Sequence, residues 1–194
     1  MHMGTQNDPA FILLGLKHSG KTTQGKMLAK KLSYPFVDID ETMAKKTEMS
    51  ARDIYEKFGP AKFLEIEEQL CEVLGKECQG KKIVVSTGGG ICDNATAITH
   101  LRDLGTFVFL AVPEAVAFNR IMNEAIEKEG KIDGLPYYLA KKKPKNRAQA
   151  EKLFHENFID RDEAYRKIAD IIVTLDDVSA DENFSVLCET LGVH

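Results

Sequence analysis

The segment from Gly15 to Thr22 reads GLKHSGKT and has the spacing G-x-x-x-x-G-K-T. Glycines at both ends of such a loop let the backbone wrap closely around a small anion, so that successive N–H groups point inward. A lysine at this position reaches nucleotide phosphates, and the next hydroxyl binds Mg²⁺. The pattern therefore predicts that Lys21 contacts phosphate and Thr22 the metal; the alternative is a glycine-rich turn without a ligand.

The same loop supplies the other residues expected to contact the nucleotide. One of them, His18, is expected to take no part in the chemistry, because a lone histidine lacks the partners that general-base catalysis needs. The expected nucleotide contacts of the loop, besides Lys21 and Thr22, are Gly15, Lys17, His18, Ser19, Gly20 and Thr23.

Two aspartates follow the second short apolar segment of the chain. Asp38 and Asp40 come directly after Phe36 and Val37. Ligands of open α/β sheets bind at the carboxyl ends of strands, and continued strand alternation would point both carboxylates the same way. Two like charges held together are unfavourable unless they share a metal ion or a proton. The pair is therefore expected to be functional rather than part of a solvated turn.

Three consecutive glycines follow the third apolar segment. Gly88, Gly89 and Gly90 come directly after residues 82–86. A tight turn from strand to helix needs one or two glycines, so that three favour close contact between backbone and ligand over a simple turn.

Short apolar runs and helical patterns must position these groups. The runs at 10–14, 35–38, 82–86, 106–112 and 171–175 are predicted to be strands. Helices are predicted at 20–32, 50–58, from about 60 onward, and at 94–104, 113–128, 147–169 and 181–191; the helix at 50–58 has the spacing of a capping box in Ser50 and Asp53. Continuous apolar strands that alternate with helices predict an α/β fold with a parallel sheet covered on both faces.

The 194 residues suit one domain, which is expected to span residues 9–194 after a disordered leader at residues 1–8. Residues 129–147 are rich in glycine, proline and lysine and show no sustained hydrophobic period. This predicts a mobile excursion from the domain rather than a linker.

Composition excludes several classes of protein. With 26 basic and 30 acidic residues the net charge is −4, so the pervasive basic surface of a nucleic-acid binder is missing. The apolar runs are too short for a signal sequence or a membrane span. Cysteine spacing argues against a zinc site and for reduced thiols in a cytoplasmic protein. We expect a small-molecule substrate, no nucleic-acid or membrane partner, and a monomer.

Together these motifs resemble the shikimate kinase family over roughly residues 10–190. The resemblance is carried by the ordered set of motifs: the loop Gly15–Thr22, the pair Asp38/Asp40, the stretch Phe63-x-x-Ile66-Glu67, the triplet Gly88–Gly90, a proline near 136, and Arg161-x-x-x-Tyr165. It implies a three-layer P-loop kinase fold whose five parallel strands run in the order 2-3-1-4-5. It also implies a mobile lid at residues 129–147 and an acceptor-binding helical region at about 39–70.

The resemblance further implies ATP, Mg²⁺ and phosphoryl transfer to the hydroxyl of a small hydroxy acid, shikimate first. Lys21 and Asp40 would be the catalytic residues, with Asp40 orienting the acceptor hydroxyl and taking its proton, while Asp38 would hold Mg²⁺ through water. The remaining implied contacts are the acceptor pocket at Gly88, Gly89 and Gly90, the acceptor carboxylate at Arg161, and the adenine at Arg120. From the residues alone, Arg161 beside Asp160 and Asp162 is also consistent with a solvated helix face.

Two positions depart from the family pattern. Leu64 stands where the family has an arginine that grips the substrate carboxylate, and Leu135 stands where the family's lid has an arginine. A leucine cannot make the bidentate contact of a guanidinium with a carboxylate. Candidate replacements for the arginine missing at position 64 are Lys62 and Arg52. The lid cations could replace the arginine missing from the lid, the alternative being a solvated face; they are Lys141, Lys142, Lys143, Lys145 and Arg147.

Three hypotheses about function follow. The first is a shikimate kinase with a rearranged carboxylate site. The second is a kinase of the same fold acting on a different hydroxylated metabolite, such as a sugar acid, a polyol or a nucleotide. The third is a nucleotide-binding regulatory protein without turnover; Asp40 argues against it, because binding alone would not need that carboxylate.

Overall fold

The computed structural model describes residues 10–128 and 131–194. Within them the strands are β1 (Ala10–Leu14), β2 (Phe36–Asp38), β3 (Ile83–Ser86), β4 (Thr106–Ala111), β5 (Ile126–Lys128), β6 (Lys131–Asp133) and β7 (Ile171–Thr174). Five of them form one parallel sheet in the order β2-β3-β1-β4-β7. This is the predicted order 2-3-1-4-5, because β7 is the fifth strand of that sheet.

Helices lie on both faces of this sheet. In chain order they are α1 (Lys21–Leu32), α2 (Ile39–Thr47), α3 (Ala51–Cys78), α4 (Ala95–Arg102), α5 (Glu114–Glu124), α6 (Tyr137–Ala140), α7 (Arg147–Ile168) and α8 (Ala180–Leu191), with a 3₁₀ turn at Ile91–Asp93 before α4. The predicted α/β class with a covered parallel sheet is therefore confirmed.

The central strand β1 explains why its sequence is apolar throughout. It pairs with β3 on one side and β4 on the other, and all five of its residues are buried. Phe11 and Leu13 belong to one hydrophobic cluster, whereas Ala10, Ile12 and Leu14 belong to the cluster on the opposite face. A strand buried on both faces needs no polar alternation.

The two helices predicted at 50–58 and from about 60 onward are the two segments of α3, and the break predicted between them is confirmed. Ser50 and Asp53 form the predicted capping box at the start of α3. The kink is at Gly59, whose φ is 81°, and Pro60 opens the second half. Proline is tolerated there because a residue in the first turn of a helix needs no backbone donor.

Helix α2 was not predicted from the local sequence pattern, although it lies in the helical region at about 39–70 that the family resemblance implies. It changes the geometry expected for the aspartate pair. The strand ends at Asp38, whose carboxylate accepts a hydrogen bond from the Glu41 backbone N–H at 3.1 Å and so caps α2. Asp40 therefore lies in the first turn of a helix. The prediction that both carboxylates point the same way assumed that Asp38 and Asp40 continue the strand. That assumption was wrong, because the strand ends at Asp38 and Asp40 is helical.

The segment predicted as an excursion has local structure of its own. β5 and β6 form an antiparallel hairpin, and this ends α5 at Glu124 rather than near residue 128 as predicted. Ile132 of β6, and Leu135 and Leu139 beyond the hairpin, are buried in the same cluster as Phe11 and Leu13 of β1. Residues 129 and 130 lie outside the described residues, as does the predicted leader at 1–8.

None of the helices in the described part of the chain is both long and apolar enough to cross a bilayer. All four cysteines are free thiols, with Cys71 buried and the others half-buried.

Candidate active site

The phosphate loop joins β1 to α1 and depends on its two glycines. Gly20 caps α1 with a φ of 94°, a left-handed conformation that strains other residues. A Cβ on Gly15 would lie 2.6 Å from the Ser19 hydroxyl and 2.9 Å from the carbonyl oxygen of Leu110, so a side chain does not fit. The Ser19 hydroxyl is buried and has no hydrogen-bond partner among the described residues, which leaves it available to a ligand of the loop.

Lys21 folds over this loop. Its Nζ donates to the carbonyl oxygens of Gly15 at 2.9 Å and Leu16 at 2.7 Å. Burial lowers the pKa of Lys21 to about 8, and the carboxylates of Asp40 and Asp38 oppose that shift. The ammonium is thus buried, within electrostatic range of both aspartates, and in such a low-dielectric site it would act strongly on phosphate.

Thr22 and Asp38 meet at the first turn of α1. The Thr22 hydroxyl donates to Asp38 Oδ2 at 2.7 Å, and the other oxygen of Asp38 caps α2. Such a hydroxyl–carboxylate pair suits Mg²⁺, which takes few protein ligands and completes its shell with phosphate oxygens and water. The described residues contain no cluster of three or more His, Cys, Asp or Glu side chains that could hold a metal.

Asp40 lies in the cleft beyond Lys21 and remains accessible to solvent. The surrounding protein raises the pKa of its carboxyl by desolvation, an effect that Lys21 opposes and Asp38 reinforces. A carboxylate with a raised pKa is a better proton acceptor, which suits general-base work.

Glu67 is a second carboxylate of this site, and the sequence argument assigned it no role. It is 1% exposed, and Asn94 Nδ2 donates to both Glu67 Oε2 and the Leu64 carbonyl oxygen at 3.0 Å. A Cβ on Gly88 would lie 2.9 Å from Asp40 Oδ1 and 3.2 Å from Glu67 Oε1. The missed signal was a glutamate on the buried face of α3, where the neighbouring positions are apolar.

The other two glycines of the triplet make room for the phosphate loop and for α7. A Cβ on Gly89 would lie 2.7 Å from the backbone nitrogen of Lys17, and one on Gly90 would lie 3.2 Å from Arg161 Nη2. The triplet thus lets three elements approach one another at the carboxyl edge of the sheet.

Arg161 projects from α7 into this edge, and its side chain is 14% exposed. Its Nη2 donates to Asp93 Oδ2 at 2.6 Å and its Nη1 to the Gly89 carbonyl oxygen at 3.2 Å. The guanidinium carbon lies 4.9 Å from the centroid of the Tyr138 ring. Arg161 is therefore a half-buried residue that lines the site and not part of a solvated helix face.

Two adjoining cavities contain these residues. The first, of about 580 Å³, is lined by eight of the predicted nucleotide contacts: Lys17, His18, Ser19, Gly20, Lys21, Thr22, Thr23 and Arg120. Gly15 is not in its lining. Lining residues that the sequence argument missed lie mainly on α1, α5 and α8 and just before α8: Gln24, Asn123, Glu124, Leu175, Val178, Ala180 and Asn183. No local motif marks them.

The second cavity, of about 450 Å³, holds the predicted acceptor residues Asp40, Gly88, Gly89, Gly90 and Arg161. Lys17, Asp40 and Gly89 line both cavities. A group transferred between ligands in the two cavities would pass this shared wall.

Arg120 lies at the far side of the first cavity. It donates to the carbonyl oxygens of His18 at 3.2 Å and Asp176 at 3.1 Å. His18 has a φ of 63° and its Nδ1 lies 3.4 Å from Glu124 Oε1. Burial lowers the pKa of His18, which disfavours its charged form.

Comparison with known proteins supports one family for this arrangement. The family model of shikimate kinases matches residues 17–192, most of the chain. The chain belongs to the shikimate kinase family. That family uses ATP, generally with Mg²⁺.

Individual shikimate kinases are similar to this chain in sequence and in fold. The shikimate kinase of Thermodesulfovibrio yellowstonii is 36% identical over 111 residues, which are 57% of this chain and 62% of the relative. The chain thus spans less than two thirds of that relative's length in the match. A structure of the Acinetobacter baumannii shikimate kinase in complex with shikimate superposes with a TM-score of 0.77 at 25% identity, covering 95% of this chain and 93% of the other. The structure of the Aquifex aeolicus shikimate kinase superposes with a TM-score of 0.66 at 29% identity, covering 94% of this chain and 96% of the other.

Both departures from the shikimate kinase pattern face the acceptor cavity. Leu64 and Leu135 line it together. Of the proposed replacement cations, Arg52 and Lys141 also line it, whereas Lys62 lies outside its lining and pairs with Glu65 at 2.8 Å.

Proposed function

We propose that this protein transfers a phosphoryl group from ATP to the hydroxyl of a small hydroxy acid, first of all shikimate. The observation that carries the proposal is the shared wall of the two cavities. There Asp40 lines both the cavity that contains the phosphate loop and the acceptor cavity, and Lys21 lines the first of them. The relatives named shikimate kinase support the choice of acceptor.

Each residue has a distinct task in this proposal. Thr22 and Asp38 would hold Mg²⁺, which when bound would neutralise phosphate charge. Lys21 would exchange its loop carbonyl partners for the phosphates. Arg120 and the residues of the loop would hold the nucleotide, and Gly88–Gly90 would allow the acceptor to approach the backbone closely.

Asp40 would act as the base in phosphoryl transfer from ATP to the acceptor hydroxyl. The acceptor oxygen forms a bond to the γ-phosphorus while the bond between that phosphorus and the bridging oxygen of ADP breaks. The hydroxyl proton passes to the Asp40 carboxylate. Proton removal by a positioned carboxylate typically contributes about 10²- to 10⁴-fold to a rate.

The domain organisation expected from the sequence forms part of the proposal. Residues 9–194 would act as one kinase domain, with about 39–70 binding the acceptor and the lid at 129–147 closing over the phosphates. Closure would exclude water, which would otherwise compete as the phosphoryl acceptor. A cytoplasmic location, a monomeric state and the lack of nucleic-acid or membrane partners remain predictions.

A second candidate function is transfer to a different hydroxylated metabolite. Leu64 and Leu135 favour it, because they make the acceptor cavity more apolar than a pair of arginines would. The regulatory hypothesis without turnover has no such support, and Asp40 argues against it, because nucleotide binding alone would not need a carboxylate that also lines the acceptor cavity.

The test is an ADP-release assay with shikimate and a panel of sugar acids and polyols, on the parent, Asp40→Asn and Lys21→Ala. D40N keeps the shape and removes the base, so we expect a rate lowered by about 10²-fold or more with nucleotide affinity nearly unchanged. K21A should lose turnover as well, through weaker phosphate binding.

Acceptor-dependent ADP release with shikimate supports the proposal. Release with another panel member alone would favour the second candidate. A D40N enzyme with the parent rate, or with lost nucleotide binding by calorimetry, would assign Asp40 the wrong role.

A further inference from the structure

We propose that Lys141 of the lid binds the negatively charged group of the acceptor, and that Asp93 competes with that group for Arg161. The inference rests on the proposed function and specifies how an acidic acceptor is held in a cavity that carries Leu64 and Leu135.

Four cationic side chains of the described residues line the acceptor cavity. The cationic side chains that line it are Lys17, Arg52, Lys141 and Arg161. Two of them are already paired with carboxylates: Arg161 with Asp93 at 2.6 Å, and Arg52 with Glu56 at 2.8 Å. An anion that binds to Arg161 or Arg52 must therefore compete with a carboxylate of the protein itself.

The two remaining cations, Lys17 and Lys141, differ in which cavities they line. Lys17 also lines the nucleotide cavity, so its charge is shared with the phosphate side. Lys141 lines only the acceptor cavity of the two. Among the described residues, no carboxylate lies within 4.0 Å of its ammonium. Lys141 is therefore the uncompensated cation on the acceptor side.

Stacked aromatic rings hold the part of the lid near Lys141 against α3. The Tyr137 ring stacks on Tyr55 at 4.7 Å between centroids, and Tyr55 stacks on Phe63 at 4.2 Å. The Lys141 ammonium lies 6.0 Å from the centroid of the Tyr137 ring. Aromatic stacking therefore ties the part of the lid that carries Lys141 to the acceptor-binding half of α3.

Arg161 lines the same cavity as Lys141 and also contacts the lid, where its guanidinium packs on the Tyr138 ring. Its Nε is buried without a hydrogen-bond partner among the described residues, so the guanidinium retains a free donor despite its pair with Asp93. The Asp93 side chain is 56% exposed. An incoming carboxylate would meet Lys141 and Arg161 as attractive partners and Asp93 as a repulsive one.

The test compares Lys141→Ala with Lys142→Ala as the matched control. Lys142 is the adjacent lid lysine, pairs with Glu156 at 3.6 Å and does not line the cavity. We expect K141A to raise the KM for shikimate about ten-fold, the size of one lost charge-assisted contact, with kcat within about two-fold of the parent. K142A should match the parent.

Two further readouts separate charge recognition from a general effect on the lid. The KM for shikimate methyl ester, which lacks the charge, should be the same in K141A and the parent. Asp93→Asn should lower the KM for shikimate, because the competing carboxylate is gone; Asp162→Asn, which removes the partner of Arg166 on α7, is its control. Thermal unfolding checks that each variant is folded.

The outcomes distinguish this inference from the proposed function. If the parent phosphorylates shikimate but K141A behaves like K142A, the role of Lys141 is overturned and the function stands. If the parent phosphorylates neutral acceptors alone, both fail. If another acid is the acceptor, the same variants measured with that acid and its ester decide the inference.

Discussion

Glu67 illustrates how one buried side chain links stability to the site. Desolvation raises the pKa of its carboxyl to about 7, from an ordinary value of 4.5, while the hydrogen bond from Asn94 opposes the shift. The fold therefore favours the protonated form. Near neutral pH, Glu67 would be partly protonated at the point where Gly88 and Asp40 converge.

A pH-dependent stability follows from this shift. A folded-state pKa above the unfolded value means that the contribution of Glu67 is fully present below about pH 4.5 and is lost as the pH rises through about 7. We expect the free energy of unfolding of Glu67→Gln to fall less between pH 5 and 8 than that of the parent, by up to about 3 kcal/mol.

Chemical denaturation at several pH values measures this difference. Glu68→Gln, at the half-buried neighbouring position, is the control and should follow the parent. Identical pH profiles for E67Q and the parent would show that Glu67 is not desolvated as the structure indicates.

At the scale of the element, the proposed function depends on the segment proposed as the lid, residues 129–147. Its sequence shows no sustained period, yet Ile132, Leu135 and Leu139 bury themselves in the core, and Tyr137 stacks on Tyr55 of α3. These contacts hold the lid at a few points only. Local opening is expected where few buried contacts resist it.

Hydrogen exchange of the lid should therefore depend on the Tyr137 ring. Tyr137→Ala removes a stacked pair worth about 0.5–1.5 kcal/mol, so amides of residues 137–147 should exchange about two- to ten-fold faster. Tyr137→Phe keeps the stack and should match the parent. In the parent, nucleotide and acceptor together should slow these amides. Equal protection with and without ligands would count against a closing lid.

At the scale of the whole molecule, the acceptor cavity is assembled from distant parts of the chain. Leu64 comes from α3, Asp93 from the turn before α4, Lys141 from the lid and Arg161 from α7. Recognition of an acceptor therefore depends on how these elements pack together. A positive charge on any one of them could bind the acceptor's anionic group.

This leads to a prediction for Leu64→Arg. The new guanidinium would enter the cavity on α3, and the KM for shikimate should fall about ten-fold or more, with kcat little changed, since the carboxylate contact is much the same in ground and transition states. Leu64→Met keeps the volume without charge and should match the parent. A parent KM already in the low micromolar range would show that the existing cations suffice. An L64R enzyme that loses activity toward a different natural acceptor would favour the second candidate function.

The sequence alone determined the elements whose signals are local. The apolar run of β1, the capping box of Ser50 and Asp53, and the loop Gly15–Thr22 depend on residues within a few positions of one another, because backbone hydrogen bonding and burial set their periods and spacings. Short strands alternating with helices then left a covered parallel sheet as the consistent fold, and the family resemblance supplied its strand order.

Only the tertiary structure decided which side chains meet. Asp40 turned out to be helical because the Asp38 carboxylate caps α2, a competition between strand and cap that alternation does not reveal. Glu67 reaches Gly88, and Lys141 and Arg161 line one cavity, across separations of 20 residues or more. Such meetings depend on how whole elements pack at the sheet's carboxyl edge, and no local period or spacing encodes that packing.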